Sequence, residues 1–404
     1  MLEFLDVQLW RVPTSEELHE HFAIPARPGT GRKAPKGSST LVVRKTFSTL
    51  DMFCYLKARF GEPNGFMNFL RSDSSDNWIH WDFALRAQDT DIWIQGASRE
   101  IRFTLTADLT DENWCDLILA IKSDFKRVAT EKSAVLKTLE QWVIFPNKFA
   151  EIEASCAELY LRIVENIDPF EGFAHGSISD QARSHKPAIQ EALKRAAKLY
   201  RDCIALSLLT PVLAEAFLNL TISMLCKREI RNNQRQFDAF IRSPIDVKLF
   251  DLAYKCEGFL RPIDPNTEWY KRFHQLMQKR NNRIHGNCNP ELEKLEIVYF
   301  EGKRPLFDQT GDNIGRFIEA QTRQYDPEGV IKDYKDVHAF ILEIIAALDP
   351  NLVQAFRQVM ADPYPGYDAR RGRMGSVLPR RIAVGRLEGD RYDDELTVTW
   401  NQGN

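Results

Sequence analysis

Apolar and polar positions alternate in the first part of the chain and repeat at helical spacing in the rest. Ile79, Trp81, Phe83 and Leu85 alternate with Trp78, His80, Asp82 and Ala84; Ile92 and Ile94 follow; then Ile101, Phe103 and Leu105 alternate with Arg102, Thr104 and Thr106. Period two suits strands, because successive side chains point to opposite faces of a sheet. Turn-forming segments at 88–91 and 96–98 separate the runs, so the pattern predicts an antiparallel meander. Leu41 to Lys45 suits another strand, and Leu50 to Phe60 a helix ended by Gly61. From Thr110 the spacing becomes helical, with Asp111 and Glu112 in the first turn, and the pattern can continue past Leu136 to Trp142. These elements predict an α+β domain over residues 1–148.

Beyond it the helical period dominates. One helix is predicted over 149–166, and a long one from Pro187 to about Arg231. In the latter, Leu206, Leu209, Leu213, Phe217 and Leu220 form one face and Leu208, Leu218, Ile222 and Leu225 another. A helix apolar on all sides belongs at the centre of a bundle. Pro211 predicts a kink, or a fresh start capped by Thr210. Shorter helices follow at 237–241 and 245–256. The run LEIVYFEGKRPLF reads as a hairpin turning at Glu301-Gly302, and residues 329–360 as two helices broken at Asp349-Pro350. The expected fold is therefore an α+β domain, a mainly α-helical domain over 149–360 with a small β-hairpin, and an Arg-rich tail over 361–404 that is disordered or partly docked. The last residues, LTVTW, could return as an edge strand on the first sheet.

At 404 residues, two domains and a tail are the natural division. The net charge of -3 and a pI near 6.3 provide no overall attraction to nucleic acid, so any RNA contact must come from a local basic patch. The tail arginines, from Arg370 to Arg391, form one such patch. Seven cysteines without a C-x-x-C pair suggest reduced thiols. His19, His21 and His80 have no metal-ligand spacing, and Gly29, Gly31 and Lys33 lack that of a phosphate-binding loop. Neither a secretory leader nor a run of about 18 apolar residues is read from the sequence. A cytoplasmic protein without metal or cofactor is expected.

The candidate chemistry lies in TEWYKRFHQLMQKRNNRIHGNCNP, residues 267–290. Trp269, Phe273, Leu276, Met277 and Ile284 form a helical stripe, and Arg280 falls within it. A guanidinium facing a core needs a carboxylate, a carbonyl or a bound anion. His285 follows, with Gly286 next as a C-cap, so the imidazole would sit in the last turn, where the helix dipole favours its charged form. Asn281 can donate and accept; Lys279, Asn282 and Arg283 add polar and positive groups for RNA. Glu215, on the apolar helix, is a candidate partner for Arg280, with Asn219 the fallback. A structural account competes: Arg280 paired with a buried acid, His285 bonded to a carbonyl. His338 reads as structural.

Arg280, Asn281 and His285 in RNNRIHGN resemble the R-x4-6-H signature, with a polar residue after the arginine, of the HEPN superfamily (higher eukaryotes and prokaryotes nucleotide-binding domain). The similarity is strongest over residues 206–290, which include the long hydrophobic helix that precedes the motif helix in that family. The resemblance implies a metal-independent endoribonuclease working as a homodimer. In it Arg280 stabilises phosphorane charge, His285 moves protons, Asn281 orients and Glu215 positions the arginine. It also implies a setting in antiviral defence or a toxin–antitoxin pair, with a protein inhibitor as partner. The alternative is a non-cleaving HEPN-like module that binds a nucleotide, RNA or a protein.

Overall fold

A computed structural model describes residues 3–17, 37–70, 78–170, 186–284, 290–291, 296–308, 313–378 and 391–396. The chain is mixed α and β and forms two compact units, one of Met1–Gln141 with Val377–Asn404 and the other of Trp142–Ser376.

In the first unit, β1 (Ser39–Val43) precedes helix α1 (Thr49–Phe60) and the single turn α2 (Met67–Leu70). The meander is present as β2 (Trp81–Ala87), β3 (Thr90–Gly96) and β4 (Ile101–Leu105), antiparallel throughout, with β1 antiparallel to β4. Trp81 stands opposite Gly96, where a Cβ would lie 2.0 Å from the indole ring, so only glycine fits beneath it. The expected single helix after Thr110 is two, α3 (Asp111–Arg127) and α4 (Ala129–Thr138). Val128 leaves helical geometry between them, and α4 folds back onto α1. Thr110 and Asn113 form a reciprocal capping box that sets the start of α3. The core between sheet and helices holds Tyr55, Phe83, Phe103, Trp114 and Ile121.

Buried within this unit, the Asp124 carboxylate accepts from the Tyr55 hydroxyl at 2.9 Å, lies 3.0 Å from Arg59 and also pairs with Arg127. Burial alone would raise this carboxyl; hydrogen bonds from Arg127 and Tyr55 and the charge of Arg59 outweigh it and hold its pKa below the ordinary value.

The second unit opens with β5 (Val143–Ile144) and α5 (Lys148–Glu165). Its axis is α6 (Lys186–Leu225), a single helix of 40 residues that runs through Pro211. The proline removes one backbone donor, yet the helix continues through it, so the fresh start capped by Thr210 does not occur. Around it stand α5, then, after the turn α7 (Arg228–Arg231) and α8 (Gln234–Arg242), α9 (Ile245–Lys255) and α10 (Glu268–Ile284). The hairpin β6 (Val298–Glu301) and β7 (Arg304–Phe307) turns at Gly302, whose φ of 61° suits glycine. The helices α11 (Asn313–Tyr325), α12 (Pro327–Ala346) and α13 (Pro350–Met360) complete the bundle. By length and composition Ile189–Leu225 could cross a membrane, with mean hydropathy 1.8, contrary to the sequence expectation. In the folded unit 56% of that window is buried, which accounts for its apolarity as a core helix.

The tail does not stand apart. Its first part adds β8 (Gly366–Asp368) and β9 (Arg373–Gly375) to β5 in a small sheet of the helical unit. Its later part gives β10 (Arg391–Tyr392), parallel to β1 at the edge of the first sheet. Edge pairing therefore occurs at 391–392; apart from Leu396, the predicted LTVTW strand lies outside the described residues.

On α12, His338 has a buried Nε2 without a hydrogen-bond partner among the described residues, and it meets the Tyr334 ring at 4.5 Å. Burial lowers its imidazole pKa, with Glu153 opposing the shift. The unfolded chain then binds a proton that the folded chain resists, so stability is complete above about pH 6.5 and falls below it. In His338→Phe, the loss of melting temperature between pH 7 and pH 5 is expected to shrink; an unchanged loss would place the acid sensitivity elsewhere.

Candidate functional site

The motif helix α10 is held by its apolar stripe, as its spacing predicts. Phe273, Leu276 and Met277 are buried, and Phe273 stacks on Phe340 of α12 with ring centroids 4.0 Å apart. Arg272 pairs with Asp336 and Lys279 with Asp333, which fixes the helix along α12. Arg280 follows the buried positions at helical spacing and is itself half-buried. Its Nε is inaccessible to solvent and has no hydrogen-bond partner among the described residues. Such an orphaned donor costs roughly 1–3 kcal/mol, so its persistence calls for a ligand or a reason.

The other predicted residues divide. Asn281 is exposed. Lys279 spends its charge on Asp333 at 2.9 Å, which makes it an anchor of the helix before it is a contact for RNA. Asn282 and Arg283 continue the helix, while their side chains, and all of His285 and of Gly286, the expected C-cap, lie outside the described residues.

The expected contact between Glu215 and Arg280 is not formed. Glu215 Oε1 instead faces Lys248 Nζ of α9 at 3.3 Å, and Asn219, the fallback partner, accepts from the same ammonium at 2.9 Å. Helix periodicity cannot reveal this choice, because it shows which face of α6 carries Glu215 but not which cation of another helix reaches that face. Lys248 is the surprise. Its side chain is only 1% exposed, whereas its neighbours Phe250 and Tyr254 on α9 are 59% and 55% exposed. Lys248 thus points inward beside Leu249 and Leu252, while part of the helix's apolar surface points outward.

Glu215 and Asn219 open onto a cavity of about 360 Å³ within the helical unit. One wall is a polar row on α6, Glu215, Asn219 and Ser223, beside an apolar row of Val212, Ala216 and Leu220. Both rows follow i, i+4, i+8 spacing, so each runs about 12 Å along the helix. The facing wall is residues 145–149, the entry to α5, with Phe145, Pro146 and Phe149 among its surfaces. Asn147 caps α5, accepting from Phe149 and Ala150 N–H while its amide donates to the carbonyls of Val359, Met360 and Asp362. Glu215 and Asn219 stand out in the sequence one turn apart within a largely apolar stretch; Ser223 does not. Nor does the inward cation.

Since Lys248 carries the buried charge, removing its acceptors should harm the fold more than removing the lysine. Glu215→Ala is expected to cost about 2 kcal/mol, less than a fully buried pair because this carboxylate is 38% exposed, whereas Lys248→Met should lie within about 1 kcal/mol of native. Urea unfolding of the two variants decides it; a larger loss for Lys248→Met would reverse the assignment.

Among the described residues no group of three or more His, Cys, Asp or Glu side chains is arranged to hold a metal ion. The described cysteines are buried and form no disulfide among the described residues, and burial pushes the Cys156 thiol up to about 12. Compared with family models, curated proteins and solved structures, the chain matches none.

Proposed function

We propose that the protein is an endoribonuclease of the HEPN type, with Arg280 and His285 at its centre. One observation carries this reading: a guanidinium on the inner stripe of α10 whose buried Nε lacks a hydrogen-bond partner among the described residues. Arginine always carries its charge and offers a planar fork suited to phosphate oxygens. With an RNA phosphodiester as its anion, the 2′-hydroxyl attacks phosphorus, forming the 2′,3′-cyclic phosphate and breaking the bond to the 5′-oxygen. A proton leaves the 2′-oxygen and one reaches the departing 5′-oxygen; His285 serves this transfer. Arg280 offsets the charge that builds on the non-bridging oxygens. Asn281, exposed beside it, orients the substrate. Glu215 drops out of this centre because it serves Lys248.

The resemblance also suggests a second copy of the chain completing the cleft, and a defence or toxin–antitoxin role with a protein inhibitor. The alternative, an RNA-, nucleotide- or protein-binding module without cleavage, draws support from the engagement of Lys279 and Glu215 elsewhere. The experiment is incubation of the full chain with mixed RNA in EDTA, alone and as Arg280→Ala and His285→Ala. Cleavage by the native chain that both variants lose supports the ribonuclease; no cleavage, or equal cleavage by all three, rejects it.

A further inference from the structure

The cavity beside α6 has a built hydrogen-bonding pattern that the cleavage chemistry does not use. Lysine can only donate, so its bond to Asn219 Oδ1 fixes the amide flip and turns the Asn219 NH2 group away from Lys248. The same ammonium takes one oxygen of Glu215, leaving Oε2 as an acceptor. Among the described residues neither the Asn219 NH2 nor Glu215 Oε2 has a hydrogen-bond partner, and both residues line the cavity. One buried cation therefore presets a donor and an anionic acceptor one helical turn apart. Phe145 and Pro146 face Val212 and Leu220 across the space and give it apolar walls. The donor groups at the α5 N-terminus do not compete, because Asn147 already takes Phe149 and Ala150 N–H.

We infer that this cavity binds a flat heterocycle whose edge carries a carbonyl next to N–H donors, the pattern of guanine. Its carbonyl accepts from the Asn219 amide, and its ring and exocyclic N–H groups donate to Glu215. Adenine offers that edge one ring acceptor and one amino donor, so it satisfies the Asn219 amide but gives the carboxylate a single N–H where guanine gives two. A volume of about 360 Å³ lies at the lower end of the range of small-ligand sites, enough for a base with part of its ribose. The same chemistry comes from a free nucleotide or from an unstacked base of RNA. The inference concerns binding at the α6 wall and stands or falls apart from cleavage at α10.

Calorimetry of the full chain with GMP, IMP and AMP tests it, alongside the tetranucleotides UGUU and UAUU. GMP should bind, IMP more weakly for want of one donor, and AMP about tenfold to a hundredfold more weakly than GMP. UGUU should exceed UAUU by the same sense, and whichever of GMP and UGUU binds tighter names the source. Asn219→Asp keeps an acceptor for Lys248 and so preserves the fold, but has no amide to donate; GMP binding should fall about tenfold or more. Ala216→Trp fills the space without touching Lys248 and should abolish binding. Equal affinity for GMP and AMP, undiminished GMP binding by Asn219→Asp, or no saturable binding of any of these probes overturns the inference.

Discussion

Arg280→Ala is expected to lower RNA cleavage by about 10²- to 10³-fold without weakening the fold, the size of effect seen when one charge-stabilising donor is removed from a reacting centre. The stability half is as diagnostic as the kinetic half. A structural arginine repays its burial through partners, and its loss would cost several kcal/mol. The Nε of Arg280 has no hydrogen-bond partner among the described residues, so truncation removes an uncompensated donor and should leave stability unchanged or raised by up to about 1 kcal/mol. Arg280→Lys keeps the charge but loses the fork and should recover only part of the rate. His285→Ala should cost about 10² to 10⁴ in rate. Urea unfolding and a gel assay on the same preparations decide between the accounts: a variant that loses stability and cleavage together marks Arg280 as a strut.

The largest stability effect is expected in the first unit. Asp124→Ala should cost about 3–5 kcal/mol, since it strands Arg59, whose side chain is 8% exposed, together with the Tyr55 hydroxyl. Asp124→Leu should do no better, because an apolar replacement cannot neutralise the guanidinium, whereas Asp124→Leu combined with Arg59→Met should recover much of the loss. The sign with pH follows from the lowered carboxyl. The folded form holds its charge more firmly than the unfolded form, so the contribution is complete above the ordinary Asp range, near pH 4, and is lost as pH falls through the lower folded value. Denaturant titrations of native and Asp124→Asn protein between pH 3 and 7 check it: the native curve should fall more steeply at the acid end.

Both effects come from contacts that linear patterning treats differently. The meander was legible because β3 and β4 bury alternate residues, although β2 also buries Asp82 and Ala84 on its second face, and α10 because Phe273, Leu276 and Met277 recur at helical spacing. Those signals are local, and the physics behind them is local too. The break at Val128 was not visible, since no Pro or Gly marks it and α4 buries no side chain whose spacing could locate it. Helix α11 was missed, as were β8 and β9, which are three residues each; β8 pairs with β5 more than two hundred positions earlier, and β9 with β8. At the candidate site the arginine, its stripe and the pair Glu215 and Asn219 on α6 could be read from spacing. The choice of Lys248 over Arg280 as partner of Glu215 could not, because α9 turns a lysine inward and a phenylalanine outward, against the usual preference.

The strand at Arg391–Tyr392 has a consequence for how the molecule is made. It lies beside Leu41 and Val42, and directly after it the Asp393 carboxylate accepts from the backbone N–H groups of Arg44, Lys45 and Thr46. These contacts join points some 350 residues apart, so on a ribosome the first sheet must wait, with one border unpaired, until the whole helical unit has emerged. The second unit can thus be finished before the first, and a chain halted early would show a bare strand border of the kind that invites association with its own copies.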